Sequence, residues 1–210
     1  MVSTHHAEPA LTTSREAHAR WLVTGGAGFI GSHLVAALLG QGHHVTVFDD
    51  FSFGREQNLE AARLAAGQQA ATRLAVVRED IRDASAVAAA TATADYVLHH
   101  AARGSVPESL DEPALYHAVN VDGTFNVFNA ARHARVRGLV YATSAAVYGD
   151  DATQPKVESL TGTVLSPYAL GKRINEQYAS LMAGAYGLPV VGLRYFNVVG
   201  ARQDPAGQYA

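Results

Sequence analysis

Three residues of this 210-residue chain are of types, and at spacings, that can take up a proton and steady the result. Tyr168 and Lys172 stand four apart in "SPYALGK", and Ser144 ends the run "GLVYATS". A phenol ionises near pH 10, so alone it is a poor base at neutrality. A close ammonium favours the phenolate. Residues i and i+4 share one face of a helix, so the phenol and amine can point together. Ser166 and Pro167 are favoured as N-cap and first helical residue. The spacing therefore predicts a helix that begins just before Tyr168. An ordinary solvated helix start is written in the same letters, so the pair needs support from the rest of the chain. Ser144 reads either as a strand-end cap or turn, or as a hydroxyl facing a ligand at the carboxyl edge of a sheet.

A second constellation is "VTGGAGFIG", which sets Gly25, Gly28 and Gly31 in a G-x-x-G-x-x-G pattern between an apolar run and a helix-patterned segment. That is the context of a dinucleotide-binding loop. The first glycine permits a tight turn, the second lets backbone approach a pyrophosphate, and the third lets helix and strand pack closely. The helix start offers free N–H groups to phosphate. Phe29 and Ile30 fall in the same cofactor-binding stretch. Asp49 ends the next apolar run, where a carboxylate accepts from both ribose hydroxyls of an adenosine and repels a 2′-phosphate. No arginine directly follows the glycines or Asp49, and Arg55 is six residues on. NAD is expected rather than NADP. Asp50 reads as a turn residue or as a second adenosine contact. Asp80 and Ile81 read as the edge of an adenine site, with Asp80 alternatively capping the next helix.

The elements that must position these residues are legible as patterns. Apolar runs at 20–24, 44–50, 73–80, 95–102, 138–144 and 189–195 read as buried strands. The segment opening at "GFIG" has apolar residues at helical spacing (Ile30, Leu34, Ala37, Leu38) and ends at Gly40 and Gly42. Helical stretches are also expected over 83–94, about 113–134 and 166–187. Nearly continuous apolar strands alternating with helices imply a parallel sheet covered on both faces, an α/β doubly wound (Rossmann) fold. There is no internal repeat or low-complexity linker. Residues 1–19 read as a polar tail with no apolar h-region, and 20–210 as one dinucleotide-binding domain. After 189–195 no covering helix follows. A substrate lobe is therefore expected to begin near 197–210 and to be largely absent.

Composition narrows the function classes. The chain is 48% hydrophobic and 17% charged, with a formal net charge of −3, which fits a folded soluble protein without a polyanion footprint. Nucleic acid is not an expected partner, and no stretch approaches a membrane span. With no cysteine, no disulfide, thiolate nucleophile or cysteine–zinc site is possible. That fits a cytoplasmic setting. The ten histidines fall mostly in adjacent pairs, and strand neighbours point to opposite faces. No metal site is expected.

The blocks "TGGAGFIG", "FDDFSFGREQNL", "HHAARGSVPES", "NVDGTFNV", "TSAAVYGD", "SPYALGK" and "LRYFNVVGARQDP", in this order over about 20–210, resemble the extended short-chain dehydrogenase/reductase family. Within it they resemble the NAD-dependent nucleotide-sugar 4-epimerases. "GSVPES" and "RQDP" are similar to the branch acting on UDP-N-acetylhexosamines. The resemblance implies a UDP-sugar substrate whose C4 is transiently oxidised, and so a place in polysaccharide biosynthesis. It makes Ser144, Tyr168 and Lys172 the catalytic residues, with Lys172 also holding the nicotinamide ribose. Ser105 and Asn197 become substrate contacts beside Ser144 and Tyr168. Ala101 and Ala102 are small where the backbone passes the cofactor, and Asn120 ties a helix to a strand. A homodimer through the helices near 113–134 and 166–186 is implied as well. Ala145 and Ala146 depart from the pattern: related sugar 4,6-dehydratases carry an acidic pair there. Phe53 and Gly171 replace small hydroxyl residues. An NAD-binding module without turnover, or a reductase of the same family, would share most of these residues.

Overall fold

The computed structural model describes residues 18–204. Six apolar runs form strands: β1 (Arg20–Thr24), β2 (His44–Phe48), β3 (Leu74–Val77), β4 (Tyr96–His99), β5 (Gly138–Ser144) and β6 (Val190–Tyr195). They lie in the order β3-β2-β1-β4-β5-β6, and every neighbouring pair is parallel. This is the doubly wound order. The winding reverses between β1 and β4, and a crevice opens there beyond the strand ends. The register aligns those ends: Thr24 pairs with both Phe48 and His99, and Ser144 with Tyr195.

Among the described residues seven α-helices flank the sheet: α1 (Phe29–Gly40), α2 (Glu56–Ala66), α3 (Ala84–Thr91), α4 (Val106–Asp111), α5 (Pro113–His117), α6 (Thr124–Ala134) and α7 (Pro167–Tyr186). Successive strand residues point to opposite faces, so Leu22 and Val23 enter different cores. Val23 joins Val35, Leu39, Val47 and Leu59 beneath α1 and α2. Leu22 joins Val97, Val127, Phe128, Leu139 and Met182 beneath α3, α6 and α7. Packing on both faces is why the central strands β1, β2, β4 and β5 read as apolar runs, whereas the two edge strands do not meet the expected burial: Ala75 and Val76 of β3 and Val191, Gly192 and Leu193 of β6 are exposed.

Several expectations are corrected. Strands β2, β3 and β4 end earlier than the apolar and acidic letters suggested, because pairing stops where the loops turn out into the crevice. The core face of α1 is Gly31, Ser32, Val35, Leu38 and Leu39, while Ala37 is exposed. The expected helix over 113–134 is interrupted by a π turn at Ala118–Gly123. Four helical pieces fall outside the expected helices: α2, α4 and the 3₁₀ segments Gln68–Arg73 and Ala145–Tyr148. Helix α2 buries Asn58, Leu59 and Ala62 at helical spacing on one face but begins without a side-chain cap, so no start signal marks it. Of the expected tail, residues 1–17 lie outside the described residues. His18 and Ala19 belong to the fold: His18 Nδ1 lies 2.7 Å from the Gly42 carbonyl oxygen and Ala19 is buried. Of the expected lobe segment, 205–210 lie outside the described residues.

Candidate active site

The glycine loop is held by contacts that leave no room for side chains. Gly25 has φ +68°, and a Cβ there would lie 2.6 Å from the backbone nitrogen of Ala101. A Cβ on Gly31 would meet the Gly25 carbonyl oxygen at 2.1 Å. These two glycines let the loop after β1 touch both α1 and the loop after β4. Gly28 is the N-cap of α1 and supplies no side-chain bond, so the free N–H groups of the first turn face outward without a capping oxygen. Asp49 is buried. Its Oδ2 accepts from Ala27 N at 2.9 Å and its Oδ1 from Phe51 N at 2.9 Å. Burial raises its pKa, opposed by those two bonds. Asp49 thus stitches the loop after β2 to the glycine loop, a role its sequence position did not reveal.

A cleft opens above this loop, and Gly25, Gly28, Asp49, Asp50, Asp80, Ile81, Ala101 and Ala102 all reach its wall. These residues come from the ends of β1 to β4, as a dinucleotide adenosine and pyrophosphate require. The glycine cradle and the uncapped helix start fit such a cofactor. Asp50 behaves as a turn residue as well, accepting from Ser52 N and Ser52 Oγ. Asp80 is not a helix cap: it pairs with Arg82, and Asp83 caps α3 by accepting from Ser85 and Ala86 N–H. Phe29, Ile30 and Gly31 do not reach the cleft wall. Phe29 instead packs on His33 and near Gly200. Phe53, His100 and Arg103 do reach it, although only Phe53 had drawn notice, as a departure. "HHAAR" held the signal for the other two, since both flank the alanines already picked out.

Ser144 ends β5, and Tyr168 and Lys172 lie in the first two turns of α7. Ser166 Oγ caps α7 by accepting from Ala169 N at 3.1 Å, with Pro167 next in line. One turn later Lys172 is buried, and its Nζ donates to the Ala142 carbonyl at 2.9 Å. Ala142 lies two residues before Ser144 in β5, so this bond ties α7 to the strand that ends in the serine. Nζ sits 5.8 Å from the Tyr168 ring centroid. Burial pushes the Lys172 pKa down to about 8. Burial, and after it the Lys172 charge, holds His100 down at about 4 and His99 well below its usual range. His99 bonds Thr24 and Thr124, whereas His100 bonds the Tyr195 hydroxyl, the divergence expected of strand neighbours. Ser144 Oγ accepts from Ala146 N at 3.1 Å. It therefore caps the short 3₁₀ turn Ala145–Tyr148 and keeps its own proton to donate. Tyr168 also packs edge-on against Tyr116, ring centroids 6.5 Å apart.

Asn120 ties the π turn to the loop after β4: its Oδ1 accepts from Arg103 N and its Nδ2 donates to the Arg103 carbonyl. Ser105 caps α4 by accepting from Glu108 N. Asn197 lies beyond β6 and is exposed. None of Ser105, Ser144, Tyr168, Lys172 and Asn197 reaches the wall of the cleft above the glycine loop. No helix among the described residues is long and apolar enough to cross a membrane.

Residues 21–210 match the model of the NAD dependent epimerase/dehydratase family. The chain belongs to that family. A UDP-glucose 4-epimerase of Mycolicibacterium smegmatis is 40% identical over 191 residues, covering 90% of this chain and 59% of that protein. The structure of a UDP-N-acetylglucosamine 4-epimerase from Methanobrevibacter ruminantium, 38% identical, superposes with a TM-score of 0.83 over 92% of this chain and 60% of the other. A dTDP-glucose 4,6-dehydratase of Streptomyces venezuelae, solved with NAD bound, is 34% identical with a TM-score of 0.81 over 90% and 59%. This epimerase/dehydratase chain thus spans somewhat over half the length of the relatives it matches, and its fold is shared by both chemistries of the family.

Proposed function

We propose that this chain carries the cofactor site and the proton-transfer site of an NAD-dependent UDP-sugar 4-epimerase. The observation that carries this reading is the buried Lys172 amine, pinned to the Ala142 carbonyl of the strand that ends in Ser144 and 5.8 Å from the Tyr168 ring centroid. When bound, NAD supplies the hydride acceptor at the sugar C4 and the donor for its return to the opposite face. Tyr168 Oη takes the proton of the sugar 4-hydroxyl and later gives it back. The Lys172 ammonium favours the phenolate that does this. Ser144 donates a hydrogen bond from its hydroxyl to the same sugar oxygen and keeps its proton. Gly25, Gly28, Asp49, Ala101 and Ala102 hold the dinucleotide, with Asp50, Asp80 and Ile81 at its adenosine end. Ser105 and Asn197 meet the UDP-sugar.

Epimerisation is favoured over 4,6-dehydration by Ala145 and Ala146. Dehydration needs an acid to protonate a departing hydroxyl, and two methyl groups cannot serve. The same two methyls offer an N-acetyl group no hydrogen bond, which favours UDP-glucose and UDP-galactose as the substrate pair. Residues 20–210 form the dinucleotide-binding domain, with the substrate lobe starting near 197. Two copies associate through the α5–α6 run and α7, where Phe125, Leu170, Leu181 and Tyr186 are exposed. The setting is cytoplasmic, which a chain without cysteine suits.

The test uses the 210-residue chain. Cofactor binding is measured alongside interconversion of UDP-glucose, and of UDP-N-acetylglucosamine, with their 4-epimers. Turnover of either pair supports the reading, and Tyr168→Phe should then reduce it roughly 10²- to 10⁴-fold. Full activity in that variant would refute the mechanism. Binding without turnover would make the chain a dinucleotide-binding module. Stoichiometric consumption of reduced cofactor would make it a reductase.

A further inference from the structure

Two loops leave the sheet on either side of the glycine loop: residues 49–55 after β2 and 100–105 after β4. Phe53, on the first, is 59% exposed. The backbone beside it is fastened down. Arg55 N donates to the Ala27 carbonyl at 3.0 Å, and a Cβ on Gly54 would lie 2.7 Å from that of Ala27. Arg103, on the second loop, holds its guanidinium 4.9 Å from the centroid of the Phe53 ring. Both side chains line the cleft that Gly25 and Gly28 floor. Strand β1 lies between β2 and β4, so their contact spans the strand that carries the glycine loop.

The two partners are held very differently. Asn120 bonds both the backbone N–H and the carbonyl of Arg103. The guanidinium is paired with Glu108, which also accepts from the Tyr116 hydroxyl at 2.8 Å. Tyr116 is itself buried. Arg103 Nε is buried with no hydrogen-bond partner. Its contact with Phe53 is therefore made by a partly desolvated cation, the setting in which such contacts are strongest. Phe53 has none of this support beyond its anchored backbone.

We propose that Phe53 and Arg103 form a clasp across the cofactor cleft, Arg103 the fixed jaw and Phe53 the moving one. A dinucleotide must part them to enter and again to leave. The clasp rests on the reading of the cleft as the NAD site. It closes whether or not cofactor is bound, so it slows both directions and leaves the affinity almost unchanged. That separates it from a simple contact with the cofactor, which would slow release alone.

Rapid mixing with NADH, followed by its fluorescence, gives the association rate, and chase with excess NAD gives the release rate. In Phe53→Ala both rates should rise, roughly three- to thirtyfold, with the dissociation constant changing by less than the rates. Phe53→Leu, which keeps bulk without a π face, should behave like Phe53→Ala. Arg103→Gln should add little to Phe53→Ala in the double variant. Unchanged rates, a rise in release alone, wild-type rates in Phe53→Leu, or additive effects would each overturn the clasp. A wild-type chain that takes up neither NADH nor NAD would instead overturn the cofactor reading beneath it.

Discussion

Lys172 concentrates the residue-scale physics of this protein. A lysine is seldom buried unless something requires it, and here the amine keeps one hydrogen bond, to the Ala142 carbonyl. Its pKa falls to about 8 from 10.5 because burial penalises the charge. The consequence for stability has a definite sign. Between these two values the unfolded chain holds a proton that the folded chain has released, so unfolding takes up protons and stability rises with pH. Relative to Lys172→Met, the wild type should therefore gain on the order of 3 kcal/mol between pH 7.5 and 10.5. Denaturant unfolding of both proteins across that range measures it, and parallel curves would contradict the burial. Gly25 is the other residue on which much depends. At φ +68° and 2.6 Å from Ala101 N, Gly25→Ala forces the loops after β1 and β4 apart. It should abolish detectable cofactor uptake while the far-UV circular dichroism stays native.

At the scale of elements, α7 is the part that aims chemistry. Its cap decides where Tyr168 falls on the helix, and its second turn brings Lys172 under β5. Ser166→Ala should cost about 1 kcal/mol, seen in the denaturation midpoint, by removing the bond to Ala169 N. Gly171, in the same turn, points the other way. A Cβ there would meet Val121 Cγ2 at 3.4 Å, an ordinary contact. Gly171→Ala should therefore stabilise by roughly 0.5–1 kcal/mol through helix preference. A loss would mean that α7 and the π turn pack more tightly than that distance implies. The π turn serves the same alignment. Asn175 of α7 donates to the Asn120 carbonyl at 2.9 Å, and Asn120 in turn grips Arg103. One irregular turn thereby joins α7 to the cleft above the glycine loop.

At the scale of the whole molecule, the parallel sheet sets the site by lining up strand ends. Loops after β1, β2, β3 and β4 build the cleft, while β5 carries Ser144 to the same edge. A ligand bridging these loops ties both halves of the sheet together and binds only the folded chain. NAD at a hundredfold excess over its dissociation constant should then stabilise by about 2.7 kcal/mol, read as a rise in melting temperature. NADP should give a smaller rise at equal concentration, because Asp49 would face its 2′-phosphate. Equal shifts would contradict the assigned adenosine end.

The amino-acid sequence by itself determined what depends on local order. It carried the alternation of buried strands and helices, the glycine spacing, the cap ahead of Tyr168 and the i,i+4 pair, because each is a relation among residues within a few positions. It also carried the family, through motifs kept in sequence order. It did not show that Asp49 is the internal stitch of the glycine loop, that Asp83 rather than Asp80 caps α3, or that Phe29 turns away from the cleft. Each of those depends on which loop lies beside which. Arg103 and Phe53 are fifty positions apart in the sequence, and nothing local links them. They meet only because β1 is placed between β2 and β4, and that order is decided by burial of both sheet faces at once. Tertiary packing also decided the state of Lys172, since desolvation belongs to the assembled core and to no stretch of chain within it.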